Sequence, residues 1–270
     1  SAEKAVILFV SDDVCEMNEI AVSLNEQNLL RQEVEKSIYE EASERIKCSK
    51  EYKNENILVV AEKGWHSGVI GIVASRLTDE FYKPSVMITF EDGIGKGSLR
   101  SVKGFNIYEA LKSVSHLLEK FGGHELAAGL TIKEENFDEF KKQISAYAKE
   151  NMDVKCTVRE LSIDSEITEN DMTVEFADKV SMLEPFGMAN PQPVFVVKKA
   201  KVLRSSDFKE GKHLRLTVSK KNKILNAVGF SLGKYASSLK KDEEIYIAGT
   251  AGINDFKGEK SFQLRIKAIR

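Results

Sequence analysis

Three short glycine-bearing stretches hold the side chains best suited to chemistry, and all three suit an anion. In Phe121-Gly122-Gly123-His124, consecutive glycines leave backbone N–H groups open to a close ligand. The histidine adds a ring donor, so the turn could hold a phosphate oxygen. In Gly95-Lys96-Gly97-Ser98-Leu99-Arg100-Ser101, alternation along a strand sends Ser98 and Arg100 to one face, two residues apart. A guanidinium fork gives a phosphate two charge-assisted bonds, and a hydroxyl beside it gives a third. In Gly64-Trp65-His66-Ser67-Gly68-Val69-Ile70-Gly71, a strand passes into a helix whose N-terminus attracts negative charge. Its glycine spacing is not that of a dinucleotide fingerprint. Each stretch also has a plainer reading. These are a helix stop with a surface histidine, an exposed strand with an ion-paired arginine, and an N-cap Ser67 beside a core Trp65.

No second set of groups completes a reaction centre. His66, His116, His124 and His213 are scattered, and no cluster of Asp and His offers a two-metal site. Cys15, Cys48 and Cys156 lie far apart. They argue against a zinc site or disulfide framework and for a reducing, cytoplasmic setting. No apolar run approaches the ~20 residues of a membrane span, so no membrane role is expected. The stretches read as phosphate-binding parts without an engine.

The elements that must position them follow from periodicity. Ala5–Val10 reads as an orphan strand or core segment, the tail of an earlier domain. A long amphipathic helix follows to about residue 50, with a break near Asn25. Residues 51–150 alternate: strands at Ile57–Ala61, Ser85–Phe90, Lys96–Val102 and Ala127–Ile132, and helices at Gly68–Phe81, 107–120 and from Phe137 onward. That order predicts an α/β domain over a mixed sheet. Asn106 with Glu109 suits the start of the 107–120 helix and Gly122 its left-handed end. Residues 151–192 form a linker, with a strand over Val158–Ile167 and a helix over Asp171–Leu183. Its Glu184-Pro185 to Pro193 stretch holds three of the chain's four prolines and reads as a rigid connector.

Residues 193–270 carry 18 Lys and Arg against 7 Asp and Glu, while the rest carries 22 against 35. A basic piece on an acidic remainder suggests a polyanion partner, or else a set of solvated lysines. Five strand patterns, with a short helix Gly233–Leu239 after the third, give the order of an all-β OB barrel. Lys198, Lys199, Lys201, Arg204, Lys212 and Arg215 would track a backbone. Phe208 and Phe256, in loop-like contexts, would stack bases, while most other phenylalanines fill the barrel.

The Gly64–Arg76, Gly97–Ser101, Phe121–Gly129 and Glu184–Phe195 motifs occur in this order. Together they resemble the C-terminal part of the RecJ exonucleases of the DHH phosphoesterase superfamily. Met188-Ala189, where the family usually has a further glycine, is a departure that bears on the connector. The resemblance implies that residues 1–50 are the tail of a DHH domain with a connecting helix. It implies a DHH-associated domain at 51–150 and an OB domain at 193–270. The substrate would be single-stranded DNA, cut from its five-prime end in repair and recombination. Manganese or magnesium would sit in a DHH domain that this sequence lacks, with no metal held by the present residues. Ser98, Arg100, Ser101, Gly122, Gly123, His66 and His124 would bind the substrate phosphate, with His124 in a supporting catalytic role. The chain alone would bind and not cut, as a monomer, with a single-strand-binding protein or helicase as a partner. A non-catalytic single-strand-binding adaptor and a small-oligonucleotide phosphatase are the rival readings.

Overall fold

The computed structural model describes residues 2–153 and 159–270, which divide into two units at Arg159/Glu160. The first unit opens with α1 (Ala2–Val10) and α2 (Val14–Cys48). The Ala5–Val10 run is therefore helical, not a strand. A short apolar run fits either period, and here it folds back onto α2 with Phe9 still exposed. Asp13 caps α2 by accepting from the N–H groups of Cys15 and Glu16, and α2 runs through Asn25 without a break. Its fully buried residues fall in the last turns, Ile38, Ala42 and Ile46 among them.

After α3 (Lys50–Lys53), the sheet is built from β1 (Leu58–Lys63), β2 (Ser85–Glu91), β3 (Ile94–Arg100), β4 (Leu118–His124) and β5 (Ala127–Lys133), in the order β1-β2-β3-β5-β4. β1 and β2 are parallel, joined across α4 (Ile70–Phe81), and the other pairs are antiparallel. Asp92-Gly93, both at positive φ, makes the two-residue turn between β2 and β3. One sheet face carries Val59, Ile88, Leu99, Leu130 and Ile132 into a core with α5 (Ile107–Ser113) and α6 (Phe137–Asn151). The other carries Leu58, Val60 and Met87 against α4 and the end of α2.

Asn106 caps α5 as expected, accepting from the N–H groups of Tyr108 and Glu109 at 3.0 and 3.2 Å. The helix nevertheless stops at Ser113, and Phe121-Gly122-Gly123-His124 lies on β4 rather than at a helix end. Leu118 and Phe121 fit both periods, and glycines disfavour helix. Pairing with β5 decides the outcome, so Gly122 is not a left-handed cap.

In the second unit, β6 (Ser165–Glu166) and α7 (Val174–Ser181) precede the barrel strands. These are β7 (Phe195–Phe208), β8 (His213–Lys220), β9 (Lys223–Gly229), β10 (Glu244–Phe256) and β11 (Glu259–Ile269). β10 pairs with β7 and closes the sheet into a five-stranded OB-like barrel. The Val158–Ile167 strand expectation falls partly outside the described residues, and only Ser165–Glu166 of the rest is strand. The helix expected at 233–239 is a single 3₁₀ turn, Gly233–Tyr235. The proline segment is irregular, tied by Asn190 Nδ2 donating to the carbonyls of Leu183 and Pro185 at 2.8 and 3.1 Å.

Candidate nucleic-acid interface

Strand register assembles the first site. Arg100 pairs with Ala127, and Ala127 pairs with His124. Directly opposed residues share a face, so Arg100 and His124 stand on one side of the sheet, their backbones two strand spacings or ~10 Å apart. The next row is Ser98–Gly129–Gly122 and the one after is Lys96–Thr131–Lys120. This gives a low floor, glycine on two of its three strands, with Arg100, His124, Lys96 and Lys120 at its corners.

The floor is tightly specified. A Cβ on Gly71, in the first turn of α4, would lie 2.9 Å from Ser98 Oγ and 3.3 Å from Arg100 Nη2. The helix start therefore lies directly against these two side chains. Arg100 Nη1 donates to the Leu99 carbonyl at 2.8 Å and to Ser98 Oγ at 3.2 Å. Neither Arg100, Lys96 nor Lys120 has a carboxylate partner among the described residues, whereas Lys63, Lys133, Lys141 and Lys149 each do. Cations left unpaired on one face create a positive potential there. The β4–β5 hairpin is held by Ser101 and Ile107, whose N–H groups donate to the carbonyls of Leu126 and Glu125.

His66 and Ser101 serve the framework. His66 accepts from the Gly68 N–H at Nδ1, 3.1 Å, shaping the turn into α4 and leaving Nε2 unused. Ser101 Oγ donates to the Phe105 carbonyl at 2.6 Å and so closes its own loop. Trp65 is core, and its Nε1 donates to Glu41 on α2 at 3.0 Å. Beside this turn lies a cavity of about 590 Å³, lined by His66, Ser67, Phe90, Asp92 and Lys96 among others. It adjoins the floor through Lys96. The alternation that puts Ser98 and Arg100 together also marks Lys96 as a site residue. Lys120 had no such signal, because its segment reads as helix.

The barrel carries a second surface. On the outward side of β7 and β8, Phe208 pairs with His213 and Ser206 with Arg215. The Arg215 guanidinium lies 5.2 Å from the Phe208 ring centroid, and His213 stands 5.2 Å from Phe208 and 5.3 Å from Phe230. Phe230 is 58% exposed, and Phe256 is 66% exposed at the β10–β11 turn with Lys257 over its ring. Arg204 shares the Arg215 face and neither is ion-paired among the described residues. Lys198 and Lys201 are engaged elsewhere, with Glu166 at 2.9 Å and Asp242 at 3.0 Å. Lys199 occupies a positive-φ position in β7 and Lys212 contacts Glu210. The lysines expected to line one groove are thus not gathered with the aromatic residues. By sequence alone Phe208 and Phe256 are favoured for stacking, and Phe230 falls among the aromatic residues that mostly fill the barrel.

Among the described residues, no group of three or more His, Cys, Asp or Glu could hold a metal ion, and no helix is long and apolar enough to cross a membrane. The donor set does not fit a metal centre here.

Comparison with known proteins bears on the domains and the fold. Residues 54–150 match the DHHA1 domain and residues 163–268 the RecJ OB domain. The chain is 34% identical over 269 residues to the single-stranded-DNA-specific exonuclease RecJ of Bacillus subtilis, covering 98% of this chain and 34% of that protein. It is 29% identical to the RecJ of Thermus thermophilus, over 100% of this chain and 37% of that one. The crystal structure of T. thermophilus RecJ in complex with Mg2+ superposes with a TM-score of 0.84 at 28% identity, over 100% of this chain and 40% of that one; a Mn2+ complex gives 0.82. The chain spans about a third to a half of the length of the curated relatives it matches. With both domains in order and similarity along nearly its whole length, the chain belongs to the RecJ family, in the part that carries the DHHA1 and OB domains.

Proposed function

We propose that this chain is the DNA-holding part of a RecJ-type 5′→3′ single-stranded-DNA exonuclease acting in repair and recombination. The observation that carries this reading is the row Arg100–Ala127–His124 beside the Ser98–Gly129–Gly122 floor, with no carboxylate paired to Arg100 among the described residues. A terminal or scissile phosphate fits there. Ser98 and Arg100 supply hydrogen bonds and charge, His124 a third donor, and the glycines allow close approach. Lys96 and Lys120 give the adjoining phosphate a second pair of cations. The barrel face of Arg204, Phe208, Arg215, Phe230 and Phe256 holds the downstream strand by charge and base stacking. Strands 2–3 of an OB barrel, with the loops beside them, are where that fold takes oligonucleotides.

The metal ions that activate water for phosphodiester hydrolysis would come from residues outside this chain. Alone, the chain binds single strands and does not cut them. We place it in the cytoplasm as a monomer that works beside a single-strand-binding protein or helicase. The test is fluorescence anisotropy with labelled oligothymidylate bearing a 5′-phosphate or a 5′-hydroxyl, followed by incubation with Mn2+. Binding that favours the phosphorylated end without turnover is expected. Robust turnover, or binding blind to the end group with Arg100→Ala unchanged, contradicts the reading.

A further inference from the structure

The outward face of the barrel carries a neutral polar row that charge and stacking leave unused. Leu216, Leu225, Ala227 and Leu264 are buried, so alternation turns Thr217, Asn226, Val228 and Gln263 outward. Register aligns them across three strands. Thr217 pairs with Asn226 and Asn226 with Gln263; in the next row Arg215 pairs with Val228 and Val228 with Arg265. One row thus presents a hydroxyl and two amides, and the other a valine between two guanidinium groups. Neither arginine is ion-paired among the described residues.

Thr217 Oγ1 donates to Asn226 Oδ1 at 3.1 Å. That bond ties the Asn226 carbonyl to β8 and leaves its Nδ2 hydrogens as the free donors. Gln263 is half-buried, yet its amide has no hydrogen-bond partner among the described residues. Gly252, opposite Gln263 on β10, puts no side chain beside it, and a Cβ there would lie 3.7 Å from Arg265 Nε. Phosphates would be drawn to the arginines. Neutral amides left unpartnered beside those arginines suit the edge of a base instead. Among the DNA bases, thymine combines an O4 acceptor with a C5-methyl group next to it. Those are the complements of an Asn226 donor and of Val228.

We propose that this face reads thymine in the bound strand. Asn226 Nδ2 donates to O4, Val228 packs on the C5-methyl group, and the free Gln263 amide meets the N3–H and O2 side of the ring. Arg215 and Arg265 hold the flanking phosphates, and Phe230, two residues beyond Val228, stacks the neighbouring base. The inference rests on the strand-holding reading of the barrel and adds a base preference to it.

The probes are fluorescein-labelled 15-mers of dT, dU and dC, titrated with the whole chain by anisotropy. All three are pyrimidines, so self-stacking within the probe differs little. Uracil removes only the methyl group, and cytosine further replaces O4 by an amino donor. Affinity should fall about three-fold from dT to dU, for one methyl group, and about ten-fold more from dU to dC, for a lost hydrogen bond with a donor facing a donor. Val228→Ala should shrink the dT–dU difference, which stacking by the methyl group alone would leave intact. Asn226→Asp, isosteric and exposed, replaces the donor by an acceptor and should reverse the dU–dC order, whatever its effect on overall affinity. Equal affinity for the three strands, with Arg215→Ala still lowering the salt slope, would overturn base reading alone. So would a dU–dC order that Asn226→Asp leaves unchanged. Failure of every strand to bind would overturn the strand-holding reading and this inference together.

Discussion

Gly122 and Gly123 are adjacent on β4, yet substitution should separate fold from function at one and not at the other. A Cβ on Gly122 would meet no heavy atom within 4 Å, and its φ lies outside the left-handed region. A valine there has a strand-forming side chain and a stiffer unfolded chain in its favour, worth about 0.4–1 kcal/mol. That raises Tm by about 1–4 °C for a unit of this size. The added methyl groups would stand on the floor at the far end of the Ser98 row, beside His124, where the phosphate must approach. A Cβ on Gly123, by contrast, would lie 2.5 Å from both the Ala127 carbonyl oxygen and Ala128 Cα, at φ +150°. Both contacts are backbone of the paired strand and cannot rotate away. Strain and overpacking together cost about 2–5 kcal/mol. The assay is a thermal melt of each variant beside anisotropy with 5′-phosphorylated oligothymidylate. Gly122→Val should melt at or above the parent temperature and bind the phosphorylated end at least about ten-fold more weakly, the loss of one charge-assisted contact. Gly123→Ala should melt well below the parent. A Gly122→Val variant that binds as tightly as the parent would refute the floor as the phosphate seat.

Other outcomes test the remaining parts. Arg215→Ala should lower the slope of log binding constant against log salt by about 0.7, one phosphate contact on a single strand. Lys198→Ala, whose ammonium is tied to Glu166 at 2.9 Å, away from the Arg204–Arg215 face, should change the slope little. Phe230→Ala should cost about 1–3 kcal/mol of strand affinity if the ring stacks a base, with Tm nearly unchanged because it is exposed. The α2–α4 contact should weaken in acid. Burial pushes the Glu80 carboxyl up, but bonds from Lys47, Tyr39 and Ser43 outweigh it and hold the pKa below the usual value. Its contribution is therefore present above the unfolded-state value, about 4.3, and is lost as pH falls through the lower folded value. Melts between pH 7 and pH 3 should show Tyr39→Phe narrowing this loss; an unchanged acid limb would discount the Glu80 cluster.

Much of the architecture could be read from residue order because local signals and tertiary demands agreed. Asn106 marked the start of α5 and caps it, and Val69, Ile70, Val73 and Leu77 are the buried stripe of α4 and its cap. The Ser98 and Arg100 pairing on one face followed from strand alternation alone. What escaped depended on partners distant in sequence. Phe121–His124 has helical spacing behind it, and only the ladder to β5 makes it a strand. Ala5–Val10 packs on α2, which no local pattern announces. The convergence of Arg100 with His124 needed the register of three strands, and the commitment of Lys198 and Lys201 needed Glu166 and Asp242 to be located. The bond from the Ser101 hydroxyl to the Phe105 carbonyl likewise depends on how the loop after β3 closes, which strand alternation does not reveal.

The central claim is that Arg100 and His124 act on one anion. A double-mutant cycle tests it directly: Arg100→Ala, His124→Ala and the pair, each measured for affinity toward 5′-phosphorylated and 5′-hydroxyl oligothymidylate. Groups that share a ligand should show a coupling energy of about 0.5–3 kcal/mol, present only with the phosphorylated strand. Strict additivity, or equal coupling with both strands, would contradict the claim.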